Sequence, residues 1–270
     1  MLKVLQRILI VMPLITSVSC DIPSQLEPVQ TQIIFVLAAA SLTEPFSELG
    51  KLFESQHPNT KVELSFAGSQ QLAQQLGQGA PGDVFASASQ KYLDAAVQAN
   101  RVAKDKAQIF AKNRLVVIYP KDNPAGLEDL QGLAKPGLKL ILAAKEVPVG
   151  EYSLDFLDKA SDDPAFSPMF KATVLKNVVS FEENVKAVYT KIALGEADAG
   201  IVWISDITPD GAGQVGSLDI PEALNLIAAY PIAAISDSKH PDLARAFIDL
   251  VMSPAGQQVL QKYHFISAFP

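Results

Sequence analysis

Beyond residue 30, short apolar runs of strand length alternate with longer stretches in which apolar residues recur every three or four positions. The first run, QIIFVLA at 32–38, is followed by Leu42, Phe46, Leu49 and Phe53 at that spacing. A short apolar run is typical of a buried strand, and the longer period predicts a helix with one buried face. The alternation therefore predicts an α/β fold with mixed, mainly parallel sheets.

The same pattern starts again near residue 113 with the apolar run LVVIY. The chain has 270 residues, of which 49% are hydrophobic, so it can fill one large core or two smaller ones. We therefore expect two α/β lobes with a ligand cleft between them. The predicted first lobe covers 31–112 and 229–270, and the predicted second lobe covers 113–228.

The first nineteen residues have the pattern of a signal peptide. Lys3 and Arg7 form a basic start, and ILIVMPLITSV at 8–18 is an apolar stretch too short to span a bilayer. We therefore predict that residues 1–19 direct export to a periplasmic or other extracytoplasmic location.

Cys20 is the only cysteine of the chain and follows this segment directly. Ordinary cleavage after Ser19 would leave a free thiol, whereas a lipoprotein site would make Cys20 the acylated first residue. An exported protein with one cysteine cannot form an internal disulfide, which favours acylation. Residues 20–30, CDIPSQLEPVQ, are then expected to be a polar tether from a membrane anchor.

The charge balance argues against a nucleic-acid partner. The formal net charge is -7, and loss of Lys3 and Arg7 with the signal peptide would leave 20 basic residues against 29 acidic ones, or -9. The sequence has no basic run of the kind that binds phosphate backbones. An acidic chain of this kind can still bind an anion through local dipoles and hydrogen-bond donors.

Four places combine a strand or loop end with a predicted helix start: Ser41, Ser69, Val149 before the helix expected near Glu151, and Val185. The first turn of a helix has unpaired backbone N–H groups and a partial positive charge. Several helix starts that meet at one point would form an anion site without any cation.

Each serine also has an ordinary structural explanation. Ser41 with Glu44 three residues later has the pattern of a capping box, and Ser69 is a common type of N-cap. A hydroxyl that caps its own helix is not available to a ligand. The spacing alone does not decide between these alternatives.

The chain resembles the periplasmic molybdate-binding proteins of ABC transporters. The resemblance covers nearly everything from residue 31 onward and depends on the order of eight segments. These are AAASLTEPF at 38–46, FAGSQQLAQQL at 66–76, GAPGDVFASA at 79–88, NRLVVIYP at 113–120, VPVGEYS at 147–153, ENVKAV at 183–188, GEADAGIVWISD at 195–206 and SPAGQQVLQKYHF at 253–265.

This resemblance implies a two-lobed periplasmic binding protein fold of type II that closes on a tetrahedral dianion. Ser41 and Ser69 would each donate a hydroxyl and a backbone N–H group, and Val149 and Val185 would donate backbone N–H groups. The ligand would be molybdate, with tungstate as a close substitute, and no cofactor or catalytic residue is expected. A monomer would deliver the ion to the permease of an ABC importer.

Trp203 would complete the binding shell at a position where that family usually has tyrosine. It is the only tryptophan. Its indole N–H would donate one bond to the oxyanion, or the ring would only pack in the core and the bond would be lost.

Three other functions remain open at this point. The chain could bind sulfate, phosphate or another small oxyanion in place of molybdate. An exported serine hydrolase would need a G-x-S-x-G turn, which neither serine has, and His57, His240 and His264 lie in stretches that are expected at the surface or in the last helix. The third alternative is an anchored structural lipoprotein without a ligand.

Overall fold

Two β-sheets covered by helices organise the structure, a computed structural model in which residues 31–211 and 213–269 are described. The predicted signal peptide at 1–19 and the predicted tether at 20–30, with Cys20, lie outside these residues. None of the described helices combines the length and the apolar character that a bilayer crossing requires.

The first sheet has six strands in the order β11-β4-β10-β3-β1-β2. Their bounds are β1 Gln32–Ala39, β2 Thr60–Ala67, β3 Val84–Ala86, β4 Gln108–Asn113, β10 Ala228–Ala234 and β11 Ile266–Ser267. Five helices pack on it: α1 Thr43–Gln56, α2 Ser69–Gly77, α3 Gln90–Gln98, α7 Pro241–Met252 and α8 Pro254–Lys262. We call this sheet with its helices the first half.

The second sheet has five strands in the order β7-β6-β8-β5-β9. Their bounds are β5 Leu115–Pro120, β6 Leu140–Ala143, β7 Val178–Glu182, β8 Ala199–Trp203 and β9 Val215–Asp219. Two helices pack on it, α4 Pro148–Asp162 and α6 Val185–Ala193, and α5 Phe170–Lys176 packs against α4. We call this sheet with its helices the second half.

Both sheets are mixed, in agreement with the predicted α/β class, but parallel pairs do not dominate. Among the described strands, four pairings are parallel and five are antiparallel. The antiparallel pairs involve β4, β5 and β10, the strands next to the two connections between the halves. These strands carry the chain across and back, so they run against their neighbours.

The two connections lie at Arg114, between β4 and β5, and at residues 220–227, between β9 and β10. The lobe boundaries predicted at 112/113 and 228/229 adjoin these connections. Residues 31–270 nevertheless form one compact unit, so the division into two lobes stays a prediction.

The apolar face predicted for the first helix is confirmed. Leu42, Phe46, Leu49 and Phe53 are all fully buried. Phe46 and Phe53 both make edge contacts with Phe247 of α7, at ring distances of 5.9 and 5.5 Å. Aromatic packing of this kind holds α1 against α7, and with it the turn that precedes α1.

Several elements differ from the sequence-based expectation. The strands β4, β7, β9 and β11 and the helix α5 were not predicted from the sequence. The helix expected near Glu151 begins at Pro148. Proline suits this first position because its fixed φ matches that of a helix. An N–H group there would have no acceptor within the helix, so its absence costs nothing.

Candidate functional site

A small pocket lies between the two halves and brings the five predicted site residues together. Its lining includes Ser41 and Ser69 from the first half and Val149, Val185 and Trp203 from the second half. Its cavity volume is about 10 Å³. This is less than the roughly 300 Å³ at which sites for drug-sized molecules begin, so the pocket suits a small solute.

Four helical starts line this pocket. Ser41 lies in a 3-10 turn before α1, Ser69 and Val185 are the first residues of α2 and α6, and Val149 is the second residue of α4. Within the described chain, none of these four N–H groups has a protein acceptor. All four residues are buried. Buried N–H groups without partners are rare, so four of them around one pocket indicate a ligand that accepts hydrogen bonds.

The capping explanations for the two serines are wrong. The N-cap of α2 is Gly68, and α1 begins at Thr43 with no side-chain cap. The Ser69 hydroxyl oxygen instead accepts the backbone N–H of Ala88 at 2.9 Å. The Ser41 hydroxyl lies 3.1 Å from the hydroxyl of Tyr230. Neither serine hydroxyl is used on its own helix, so both are available to a ligand.

Local sequence explains how the second half presents its donors. The Asn184 side chain caps α6 by accepting the Ala187 N–H at 3.0 Å, which leaves the N–H of Val185 unpaired. Gly150 follows Val149, and a Cβ at this position would lie 2.5 Å from the carbonyl oxygen of Ala143. Because that contact is closer than van der Waals packing permits, only glycine lets the start of α4 lie against the end of β6.

The pocket lining has no charged side chain. It consists of hydroxyl, amide and backbone groups together with small apolar side chains and one indole. Across the described residues, no cluster of three or more His, Cys, Asp or Glu side chains is arranged to hold a metal ion. The chemistry of the site is therefore hydrogen-bond donation to an electron-rich guest.

Trp203 both packs and borders the pocket. It is 1% exposed, and its ring makes edge contacts with Tyr152 at 5.3 Å and with Tyr230 at 6.2 Å. Its backbone N–H donates to Asp206 Oδ2 at 3.1 Å. No acceptor for its indole N–H is present among the described residues. The Trp203 ring can therefore pack against the two tyrosines and still donate its indole N–H to a ligand in the pocket.

The sequence analysis missed the polar residues that support Ser41. Tyr230 and Asn113 are fully buried, and Asn113 Nδ2 donates to the Tyr230 hydroxyl at 3.2 Å. Burial raises the pKa of the Tyr230 phenol well above its usual range, which keeps it protonated. The available sequence signal was a polar residue next to each connection between the halves, Asn113 at one and Tyr230 at the other.

Three glutamates near the helix starts at Ser41, Val149 and Val185 join the two halves. Glu44 Oε2 lies 2.7 Å from Lys186 Nζ, Glu151 Oε2 lies 3.0 Å from Lys91 Nζ, and Glu183 Oε2 accepts from Gln71 at 3.2 Å. Each pair has one member in each half. These contacts therefore join the two halves close to the helix starts that line the pocket.

One buried carboxylate, that of Asp206, lies close to the Glu44–Lys186 pair. Asp206 is fully buried, and its Oδ1 lies 3.6 Å from Lys186 Nζ, too far for a hydrogen bond. Burial raises the pKa of Asp206 to about 6, because the nearby Lys186 offsets the loss of hydration only in part.

Comparison with known proteins identifies the family. Residues 34–266 match the family model described as bacterial extracellular solute-binding protein. The chain is 34% identical to the molybdate-binding protein ModA of Mycobacterium tuberculosis over 232 residues, which covers 86% of this chain and 84% of that protein.

Solved structures share the fold at low sequence identity. The periplasmic molybdate-binding protein of Azotobacter vinelandii superposes with a TM-score of 0.74 at 20% identity, over 86% of this chain and 98% of that one. The sulfate-binding protein SubI of Mycobacterium tuberculosis superposes with a TM-score of 0.79 at 18% identity, over 88% of each chain. These matches confirm the type II periplasmic binding protein fold. The chain belongs to the bacterial extracellular solute-binding proteins.

Proposed function

We propose that this protein is an extracytoplasmic receptor that captures molybdate, with tungstate as a close substitute, for an ABC importer. The proposal is supported by its 34% identity to a molybdate-binding protein and by the donor-lined pocket between the halves. Four backbone N–H groups without a protein acceptor among the described residues and two serine hydroxyls at one buried pocket are the observation that carries it.

In this proposal, Ser41 and Ser69 each donate a hydroxyl and an N–H group, Val149 and Val185 donate N–H groups, and Trp203 adds its indole N–H. Each hydrogen bond to a charged partner contributes roughly 1.5–3 kcal/mol. Six or seven such bonds, less the costs of association and closure, correspond to an affinity between about micromolar and nanomolar.

Oxyanion capture fits the pocket better than hydrolysis does. A nucleophilic serine needs a base within hydrogen-bond reach, and none of the described residues that line the pocket is a histidine or a carboxylate. The Ser69 hydroxyl oxygen is instead held by a backbone N–H, and Ser41 is held by a phenol. We therefore assign binding roles, and no catalytic role, to both serines.

A sulfate receptor is the second candidate, favoured by the structural likeness to a sulfate-binding protein. Sulfate is also a fully ionised tetrahedral dianion, but it is smaller than molybdate. The sequence relatives that the chain matches at 34% identity bind molybdate by name, whereas the sulfate-binding structure is 18% identical. For this reason we propose molybdate, the larger ion, ahead of sulfate.

Calorimetric titration of the purified protein with molybdate, tungstate, sulfate and phosphate tests the proposal. We expect molybdate and tungstate to bind with similar affinity, micromolar or tighter, and sulfate to bind at least about a hundredfold more weakly. Tighter binding of sulfate would assign the second candidate. Absence of heat and of thermal stabilisation with all four ions would reject oxyanion capture.

The cellular arrangement follows from the family and from the N-terminal sequence. We propose that Cys20 is acylated, that residues 20–30 tether the protein to a membrane, and that the loaded monomer docks on a permease. Cell fractionation of the wild type and of Cys20→Ser tests the anchor. We expect the wild type in the membrane fraction and the variant in the soluble extracytoplasmic fraction; equal distribution of both would reject acylation.

A further inference from the structure

A chain of buried hydrogen bonds leads from the second half, through the connection at residue 114, to the pocket serine of the first half. Ser205 Oγ accepts from Asn113 Nδ2 at 2.8 Å, the same amide donates to the Tyr230 hydroxyl at 3.2 Å, and that hydroxyl lies 3.1 Å from Ser41 Oγ. All four residues are at most 1% exposed. We call this set the Ser41 relay.

The direction of the Ser41 relay is set by Asn113. Its Oδ1 accepts the backbone N–H of Arg114 at 3.0 Å, which places the NH₂ group toward Ser205 and Tyr230. An amide NH₂ can only donate, so the Tyr230 oxygen is an acceptor in its bond with Asn113. The single proton of the Tyr230 hydroxyl is then left for Ser41.

The consequence is a fixed polarity at the pocket wall. Because Ser41 Oγ accepts the phenol proton, its own proton has no acceptor in the described protein and is directed to the pocket. Ser69 is in the same situation, since its oxygen accepts the Ala88 N–H. Both serines therefore direct their hydroxyl protons to a guest, while one lone pair of each oxygen is already used by a protein donor.

We propose that Asn113 and Tyr230 are specificity-determining residues that hold Ser41 as a donor and thereby exclude oxyanions that carry a proton. This inference rests on the proposed oxyanion function. A hydrogen phosphate ion has an O–H group that needs an acceptor in the pocket. Against a wall of donors that proton stays unpaired, whereas sulfate, of the same size and charge, has no such proton.

The substitution Asn113→Asp reverses the Ser41 relay without moving its heavy atoms. A carboxylate at this position accepts from both Ser205 and Tyr230. The Tyr230 proton is then drawn away from Ser41, Ser41 donates to the Tyr230 oxygen, and the lone pairs of Ser41 face the pocket. An added charge weakens all dianions alike, so the preference for sulfate over hydrogen phosphate isolates the reversal.

The experiment measures displacement of bound molybdate by sulfate and by phosphate at about pH 8, where phosphate is a dianion with one proton. We expect wild type to prefer sulfate, and Asn113→Asp to lower that preference about tenfold. Tyr230→Phe alone should lower it about threefold, because Ser41 loses its fixed donor. In the double variant, Asn113→Asp should have no further effect on the preference, since no phenol remains to transmit it.

A matched control is Asn225→Asp. Asn225 is also a buried asparagine near the connections, and its amide bonds to the backbone of Leu115 rather than to the Ser41 relay. We expect this control to leave the preference for sulfate over phosphate unchanged.

Two outcomes would overturn the inference while leaving the proposed function intact. One is an unchanged preference in both Asn113→Asp and Tyr230→Phe, with molybdate still bound. The other is an equal effect of Asn113→Asp with and without the Tyr230 hydroxyl, which would mean a charge effect and no relay. If wild type bound none of the ions, the proposed function itself would fail.

Discussion

Lys186 Nζ in the first turn of α6 lies 2.7 Å from Glu44 Oε2 in the first turn of α1. The ion pair therefore joins two helices whose starts both reach the pocket, one beside Val185 and the other just after Ser41. The buried Asp206 lies 3.6 Å from the same ammonium group. One lysine thus holds the halves together and offsets a buried charge.

Replacement of Lys186 should weaken ligand binding. In Lys186→Met, Glu44 loses its partner across the pocket and the Asp206 carboxylate loses its only nearby cation among the described residues. We expect molybdate affinity to fall about tenfold, and the free energy of unfolding to fall by roughly 3 kcal/mol at neutral pH because a buried charge is left uncompensated. Calorimetry and urea unfolding measure the two effects.

Lys191→Met is the matched control, since Lys191 lies on the same helix and pairs with Glu182 at 2.7 Å within the second half. Molybdate affinity in this variant should stay within about twofold of wild type. A comparable loss of affinity in both lysine variants would argue against a role of the Lys186–Glu44 pair in closing the pocket.

Asp206 should make the unliganded protein lose stability as the pH rises toward neutral. Its pKa is about 6 in the fold and 3.8 in an ordinary environment, so the folded state holds a proton that the unfolded state has lost. The corresponding stability is present below about pH 4 and is lost as the pH rises through about 6, with a size of about 3 kcal/mol.

Comparison with Asp206→Asn isolates this effect from that of other carboxylates. The neutral amide and the protonated acid are nearly equivalent at about pH 4, so the two proteins should have similar stability there. At neutral pH the variant should be more stable by up to about 3 kcal/mol in urea unfolding. A difference between the two proteins that does not change with pH would mean that Asp206 stays ionised throughout.

Loss of the Ser69 hydroxyl should weaken molybdate binding and leave the fold intact. Ser69→Ala removes one donor to a charged ligand, which corresponds to a decrease in affinity of about tenfold to a hundredfold. Ser47→Ala serves as control, because its hydroxyl donates to the backbone oxygen of Thr43 within α1. If Ser69→Ala bound molybdate as tightly as Ser47→Ala does, the assignment of Ser69 would be wrong.

Trp203 should report ligand binding directly. It is the only tryptophan, so the indole emission of the protein comes from the pocket wall. We expect a saturable change in emission on addition of molybdate, and none on addition of sodium chloride at the same ionic strength.

The variant Trp203→Phe keeps a ring against Tyr152 and Tyr230 but removes the N–H group. Its molybdate affinity should fall about tenfold. If the emission does not change at saturating molybdate and Trp203→Phe binds molybdate with unchanged affinity, the tryptophan only packs.

The sequence predicted helices and strands where local pattern is strong. The spacing of Leu42, Phe46 and Phe53 predicted α1. Residues that face the core recur once per helical turn, so their spacing in the sequence reveals the helix. The sequence missed β7 and β9, which are short strands with a mixture of buried and exposed residues. Their pairing partners lie far away in the sequence, so their own residues give little signal. A strand of this kind is defined by its neighbours in the sheet rather than by its own residues.

The sequence by itself determined the class of fold, the elements with a strong apolar period and the four helix starts that carry unpaired N–H groups, because these depend on periodicity and on local backbone chemistry. Only the tertiary structure decided that those starts meet at one pocket, that Ser41 and Ser69 leave their own helices uncapped, and that Tyr230 and Asn113 support Ser41. The physical reason is that convergence and hydrogen-bond direction arise between residues more than a hundred positions apart, and no local pattern encodes them.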